Sequence, residues 1–127
     1  MNGIDWTHVV EEIEDVGLSQ LRAVHSYPRQ ILVHLLKLRG WPGDDASNHW
    51  RDEIAAFQAE AADRFTPSMR QKTELDTLHG RAVRQMAARA YGDGPAHPPP
   101  ASCPVTLDAL LTASCPELEA AFLAPDQ

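Results

Sequence analysis

Cysteine, aromatic residues and positive charge are all scarce in this chain of 127 residues, and each shortage excludes something. Cys103 and Cys115 stand twelve residues apart with no His pair nearby, so the ligand pattern of a zinc site is absent. The start, Met-Asn-Gly-Ile-Asp-Trp, has neither a basic stretch nor an apolar core, so no secretory signal is visible. The thiols therefore read as reduced, in a cytoplasmic protein. No apolar run approaches the roughly 20 residues of a membrane-spanning helix. Eleven basic residues against eighteen acidic ones give a formal charge of −7, which opposes non-specific binding of nucleic acid by the whole surface. No glycine-rich phosphate loop, nucleophile elbow or His-Glu-x-x-His motif occurs, so no known enzyme signature is satisfied.

What remains is ordinary globular material, 43% hydrophobic and 23% charged, enough for one core and too short for two. Residues 1–127 read as a single all-α domain, an antiparallel bundle of four main helices with a short C-terminal helix. Trp6, Val9, Ile13 and Val16 recur at helical spacing. Asp5 is placed to cap that helix, and Gly17 to end it. Leu18 to Arg39 carries only basic charges and a broad apolar face (Leu21, Val24, Ile31, Leu32, Leu35, Leu36), which predicts the central, most buried helix. Pro28 predicts a kink or break near Tyr27. An acidic helix followed by a basic one across Gly17 suggests an antiparallel hairpin.

Gly40, Pro42 and Gly43 open a loop, and a third helix starts at Ser47 or Asn48 with Trp50, Ile54, Phe57, Ala61 and Phe65 on one face. Thr66-Pro67 is a stop and restart, and a fourth helix is expected from Pro67 to about Tyr91 with a seam of Leu75, Leu78, Ala82, Val83, Met86 and Ala90. Residues 91–104, rich in Pro and Gly, form a linker. Thr106 caps a short helix from Leu107 to Thr112, and Pro116 onward adds a turn or two or frays.

The order of several strings resembles the bacterial family named domain of unknown function 29. They are Asp5-Trp6, Val10-Glu11-Glu12-Ile13-Glu14-Asp15-Val16-Gly17, Leu32-Val33-His34-Leu35-Leu36-Lys37-Leu38, Asn48-His49-Trp50 with Glu53-Ile54, Pro67-Ser68-Met69-Arg70, and Cys103 through Leu111. The resemblance implies an all-helical fold and carries no activity. It also leads one to expect a further aromatic-rich helix ahead of Asp5, either truncated here or supplied by another subunit.

Chemistry concentrates in one expected polar site. Across the hairpin, Glu11, Glu12 or Glu14 would approach His34, with Lys37 one turn on; a carboxylate beside an imidazole suits general-base work or a metal. His8 and Glu12 could add a second ligand, but the sequence has no Glu-x-x-His pair of the kind that bundle di-metal sites use, and no metal or cofactor is expected. The plainer reading is a structural His34 at the core edge. His25 and His79 fall on apolar faces and read as satisfied core residues. Arg81 and Arg84 form a short basic strip without stacking platforms, so nucleic acid is not the expected partner. Trp41, in the loop, is a candidate partner anchor. These features point to an interaction module, a homo-oligomer or the binder of a protein partner, without catalysis. The alternative is a metal or acid/base site built from the helix-one carboxylates and His34, and a weaker one is a nucleic-acid-linked regulator using the basic face of the fourth helix.

Overall fold

The computed structural model describes the backbone of residues 6–87 and 95–123, and the side chains of 20–87 and 95–123. Six helices are present among them and no strand: α1 (Trp6–Gly40), α2 (Ser47–Arg64), α3 (Pro67–Gln71), α4 (Leu75–Ala87), α5 (Leu107–Thr112) and α6 (Cys115–Leu123). All-α architecture is what the periodicity predicts.

The hairpin at Gly17 is not made. Helix α1 continues through Gly17 and through Pro28 for 35 residues. An interior glycine costs only about 1 kcal/mol relative to alanine, so Gly17 can end a helix without having to. The charge contrast that suggested two pairing helices does not require them, and Lys37 and Arg39 in the last turn of the single helix complement its dipole. Pro28 leaves the carbonyl of Val24 without its helical N–H, a penalty of about 3 kcal/mol. Its ring is fully buried, which offsets part of that cost.

From Ile31 to Gly40 every side of α1 is covered except at half-buried His34, as expected for the central helix. Helix α2 returns along it and packs through Trp50, Ile54 and Ala61, with Phe65 buried just past its end. Helix α4 packs on α1 through Leu78, Ala82 and Met86. The fourth expected helix is divided. Thr66 Oγ1 accepts the Met69 N–H (3.1 Å) and starts α3, but α3 ends after five residues. There Thr73 donates its hydroxyl to the Met69 carbonyl (2.7 Å) and accepts from His25 Nε2 (3.0 Å), tying the turn to α1. Asp5, Tyr91 and Ala90 lie outside the described residues.

The tail is docked rather than frayed. Thr106 Oγ1 accepts the Ala109 N–H (3.1 Å), capping α5 as its sequence predicts. Gln58 of α2 donates to the carbonyls of Leu110 (3.0 Å) and Ala113 (2.8 Å), satisfying the end of α5. Leu118 and Phe122 of α6 are buried against α1. Buried Arg39 joins three segments, donating Nε to the Pro98 carbonyl (2.6 Å) and Nη1 to that of Phe122. The chain after Pro95 lies against the end of α1: Ala96 N–H donates to the Gly40 carbonyl (2.6 Å), and a Cβ at Gly40 would stand 3.1 Å from Pro95 Cβ. No described helix is long and apolar enough to cross a membrane.

Candidate functional site

Residues Gln30, Val33, His34 and Lys37 recur at three- and four-residue steps, so they share one face of α1. His49, Trp50, Glu53 and Phe57 do the same on α2. Where these faces meet, with Gln85 of α4 at the side, they line a cavity of about 350 Å³. The Lys37 ammonium lies 5.8 Å from the Trp50 ring centroid, and the His34 and Phe57 rings are 5.8 Å apart. Those two contacts set the register. Lys37, His49 and Trp50 occupy one end, Gln30 and Phe57 the other, with His34 and Glu53 between.

His34 donates Nδ1–H to the Gln30 carbonyl at 2.6 Å, one turn earlier in its own helix. That bond fixes the neutral tautomer, so Nε2 keeps its lone pair as an acceptor. Burial is the main cause holding the His34 pKa below the usual histidine value. The Gln30 carbonyl opposes it, Lys37 reinforces it, and Glu53 and His49 act weakly in opposite senses. At neutral pH the ring is therefore an uncharged base. Lys37 is only 5% exposed and is engaged within the fold. Glu53 is half-exposed and makes a loose contact of 4.0 Å with exposed His49, so its carboxylate retains acceptor capacity.

The structure thus brings together His34 and Lys37 of the expected site but not their expected carboxylates. Glu11, Glu12 and Glu14 precede His34 on one uninterrupted helix by 20 residues or more, about 30 Å at 1.5 Å per residue. Their side chains lie outside those described, as do those of His8 and Glu12 for the second-ligand pairing. The carboxylate beside His34 comes instead from α2. The His49–Glu53 spacing of four, on the Trp50 face, was the available signal for it. Among the described residues, no three His, Cys, Asp or Glu side chains are gathered to hold a metal.

The other candidates separate cleanly. Trp41 is half-buried and packs against the core, so it is not an exposed anchor. Leu123, at 48%, is the one large hydrophobic side chain exposed among the described residues. His25 is satisfied by Thr73 at the edge of a smaller cavity of about 150 Å³ with Lys72 and Arg81. His79 is buried, but its Nε2 has no hydrogen-bond partner among the described residues. Burial raises the pKa of both thiols, Cys103 and Cys115, which are free. Arg81 and Arg84 are exposed on α4.

A helical bundle enclosing a polar cavity is the class that the geometry defines. The family called domain of unknown function DUF29 matches residues 1–115, and the chain belongs to it. Its fold is similar to that of an alpha-helical protein of unknown function from Rhodospirillum rubrum, with TM-score 0.71 and 25% identity. The similarity covers 96% of this chain and 78% of that one. No curated protein matches the chain.

Proposed function

We propose that this domain binds a small polar molecule in the cavity between α1 and α2, with neutral His34 as a hydrogen-bond acceptor or general base. The observation that carries this reading is the His34–Gln30 bond. It commits Nδ1 to the backbone and leaves Nε2 as the lone-pair nitrogen of a ring that lines a cavity also containing Glu53 and Lys37. Concave sites with a few convergent polar groups and a perturbed base are where ligands bind. The test is a ligand-observed NMR screen of small polar metabolites, with hits repeated on His34→Ala and Glu53→Gln. The expected result is a hit that both substitutions weaken at unchanged helicity. Hits indifferent to both, or no hit, overturn the reading.

A second reading, self-association or capture of a protein partner, is supported by a different observation. Arg64, the last residue of α2, stacks over Tyr27 (5.8 Å), and Thr73, just before α4, meets His25. Helix α1 therefore extends N-terminally about 20 residues past the level where α2 ends and α4 begins, and this extension carries the apolar positions Trp6, Val9, Val10, Ile13 and Val16. Size exclusion with light scattering tests it. This reading expects a dimer or larger species that Val9→Asp with Ile13→Asp converts to monomer; a wild-type monomer at all concentrations contradicts it.

A further inference from the structure

Four polar side chains from three helices converge on the α1–α2 cavity: Gln30 and His34 from α1, Glu53 from α2 and Gln85 from α4. Among the described residues, neither glutamine carboxamide has a hydrogen-bond partner, and both side chains are half-buried. Each offers two N–H donors and a carbonyl acceptor, whereas His34 Nε2 and the Glu53 carboxylate only accept. Lys37 is engaged within the fold and need supply nothing. At the end away from it, Gln30 stands beside the ring of Phe57, which packs tilted against Tyr27 (6.4 Å between centroids), so an amide and an apolar surface lie side by side.

This donor and acceptor pattern selects against a simple ion of either sign. An anion only accepts, so it leaves His34 and Glu53 unanswered and stands beside a like charge. An ammonium only donates, so the carboxamide N–H groups go unmet. A hydroxyl does both, and carries no charge. Planar amides and bases hold their donors and acceptors in one plane, whereas the four side chains here arrive from three helices. Hydroxyls radiating from a saturated ring reach all of them, and the C–H face of such a ring needs an apolar wall. We propose that the cavity binds a neutral polyhydroxylated ring, a monosaccharide or cyclitol, with its hydroxyls on Gln30, His34, Glu53 and Gln85 and its C–H face toward Phe57. The volume of about 350 Å³ lies near the small end of ligand pockets, ~300–1,000 Å³, which suits one ring rather than a chain of them. This assignment rests on the ligand-site reading above.

Matched probes separate charge from hydroxyl count. Glucose, galactose, mannose and myo-inositol are titrated by ligand-observed NMR beside glucosamine, which adds a cation, glucuronate, which adds an anion, and cyclohexanol, which keeps a ring and one hydroxyl. At least one neutral polyol is expected to bind tenfold or more tighter than all three comparison probes. Gln30→Met and Gln85→Met keep the side-chain length and remove its hydrogen bonding. Each should weaken that polyol tenfold, with circular dichroism checking the fold. Glu53→Gln should narrow the gap between the polyol and glucuronate, because it removes the like charge. Glucosamine, glucuronate or cyclohexanol binding as tightly as the best neutral polyol overturns the assignment, and so does a polyol indifferent to both glutamine substitutions. If no probe binds while the metabolite screen yields a His34-dependent hit, the assignment falls and the ligand-site reading stands. If the screen is also empty, both fall.

Discussion

Replacing Phe122 by alanine is expected to destabilise the whole domain, although the residue lies in a nine-residue helix near the end of the described chain. Its side chain is 1% exposed and packs in the same core as α1. Truncating a buried phenylalanine costs about 3–5 kcal/mol in lost transfer energy and residual cavity. The carbonyl of the same residue accepts from buried Arg39, so loosening α6 also threatens a charged donor that cannot reach water. Total stability for a domain of this size is of order 5–15 kcal/mol, so the loss should be plain in urea denaturation followed by circular dichroism. Leu123→Ala, at a half-exposed neighbour, is the control and should stay within about 0.5 kcal/mol. A Phe122→Ala variant within 1 kcal/mol of the parent would refute the docked tail and the role given to Arg39.

Other outcomes follow from the same packing. Because burial holds His25, His34 and His79 below the usual histidine pKa, the unfolded chain binds more protons than the folded one as pH falls below about 6.5. Their contribution is therefore fully present above 6.5 and is lost as pH falls toward the folded values; stability measured by urea at pH 7.5 and 5.5 should be lower at 5.5. His79→Leu should remove part of that pH dependence and be neutral or stabilising at pH 7.5, since the unpartnered Nε2 disappears; a large loss would show an overlooked bond. Thr66→Ala and Thr106→Ala should each cost about 1 kcal/mol by loss of a cap, measured in the same assay. A double-mutant cycle on Arg51 and Glu119 should give no more than about 1 kcal/mol despite two-toothed geometry, because Arg51 is 43% exposed.

How much of this was legible in the sequence varies with the range of the forces involved. Local signals read true. Thr66-Pro67 starts α3, and Thr106 caps a helix ending at Thr112, because a side-chain oxygen reaching an amide three residues on is a short-range event. The core face of α1 was equally clear from its spacing. Gly17 misled, and Pro28 makes no break in α1, because each is a local preference of about 1–3 kcal/mol that the rest of the fold can override. The break after Gln71 was invisible because it depends on Thr73 meeting His25, 48 positions away. For the site, His34 and Lys37 stood out as polar groups in an apolar helix. Their partners did not, because which carboxylate faces His34 depends on which helix packs there, and that followed from the hairpin at Gly17.

The most direct measurement of the central claim is ring-nitrogen NMR of the histidines, with His34 assigned by comparison with His34→Ala. The structure predicts a neutral ring at pH 7.5, protonated on Nδ1, titrating below 6.5, with Nε2 shifting when a ligand occupies the cavity. A ring that carries its proton on Nε2, or is charged at pH 7.5, would contradict the account.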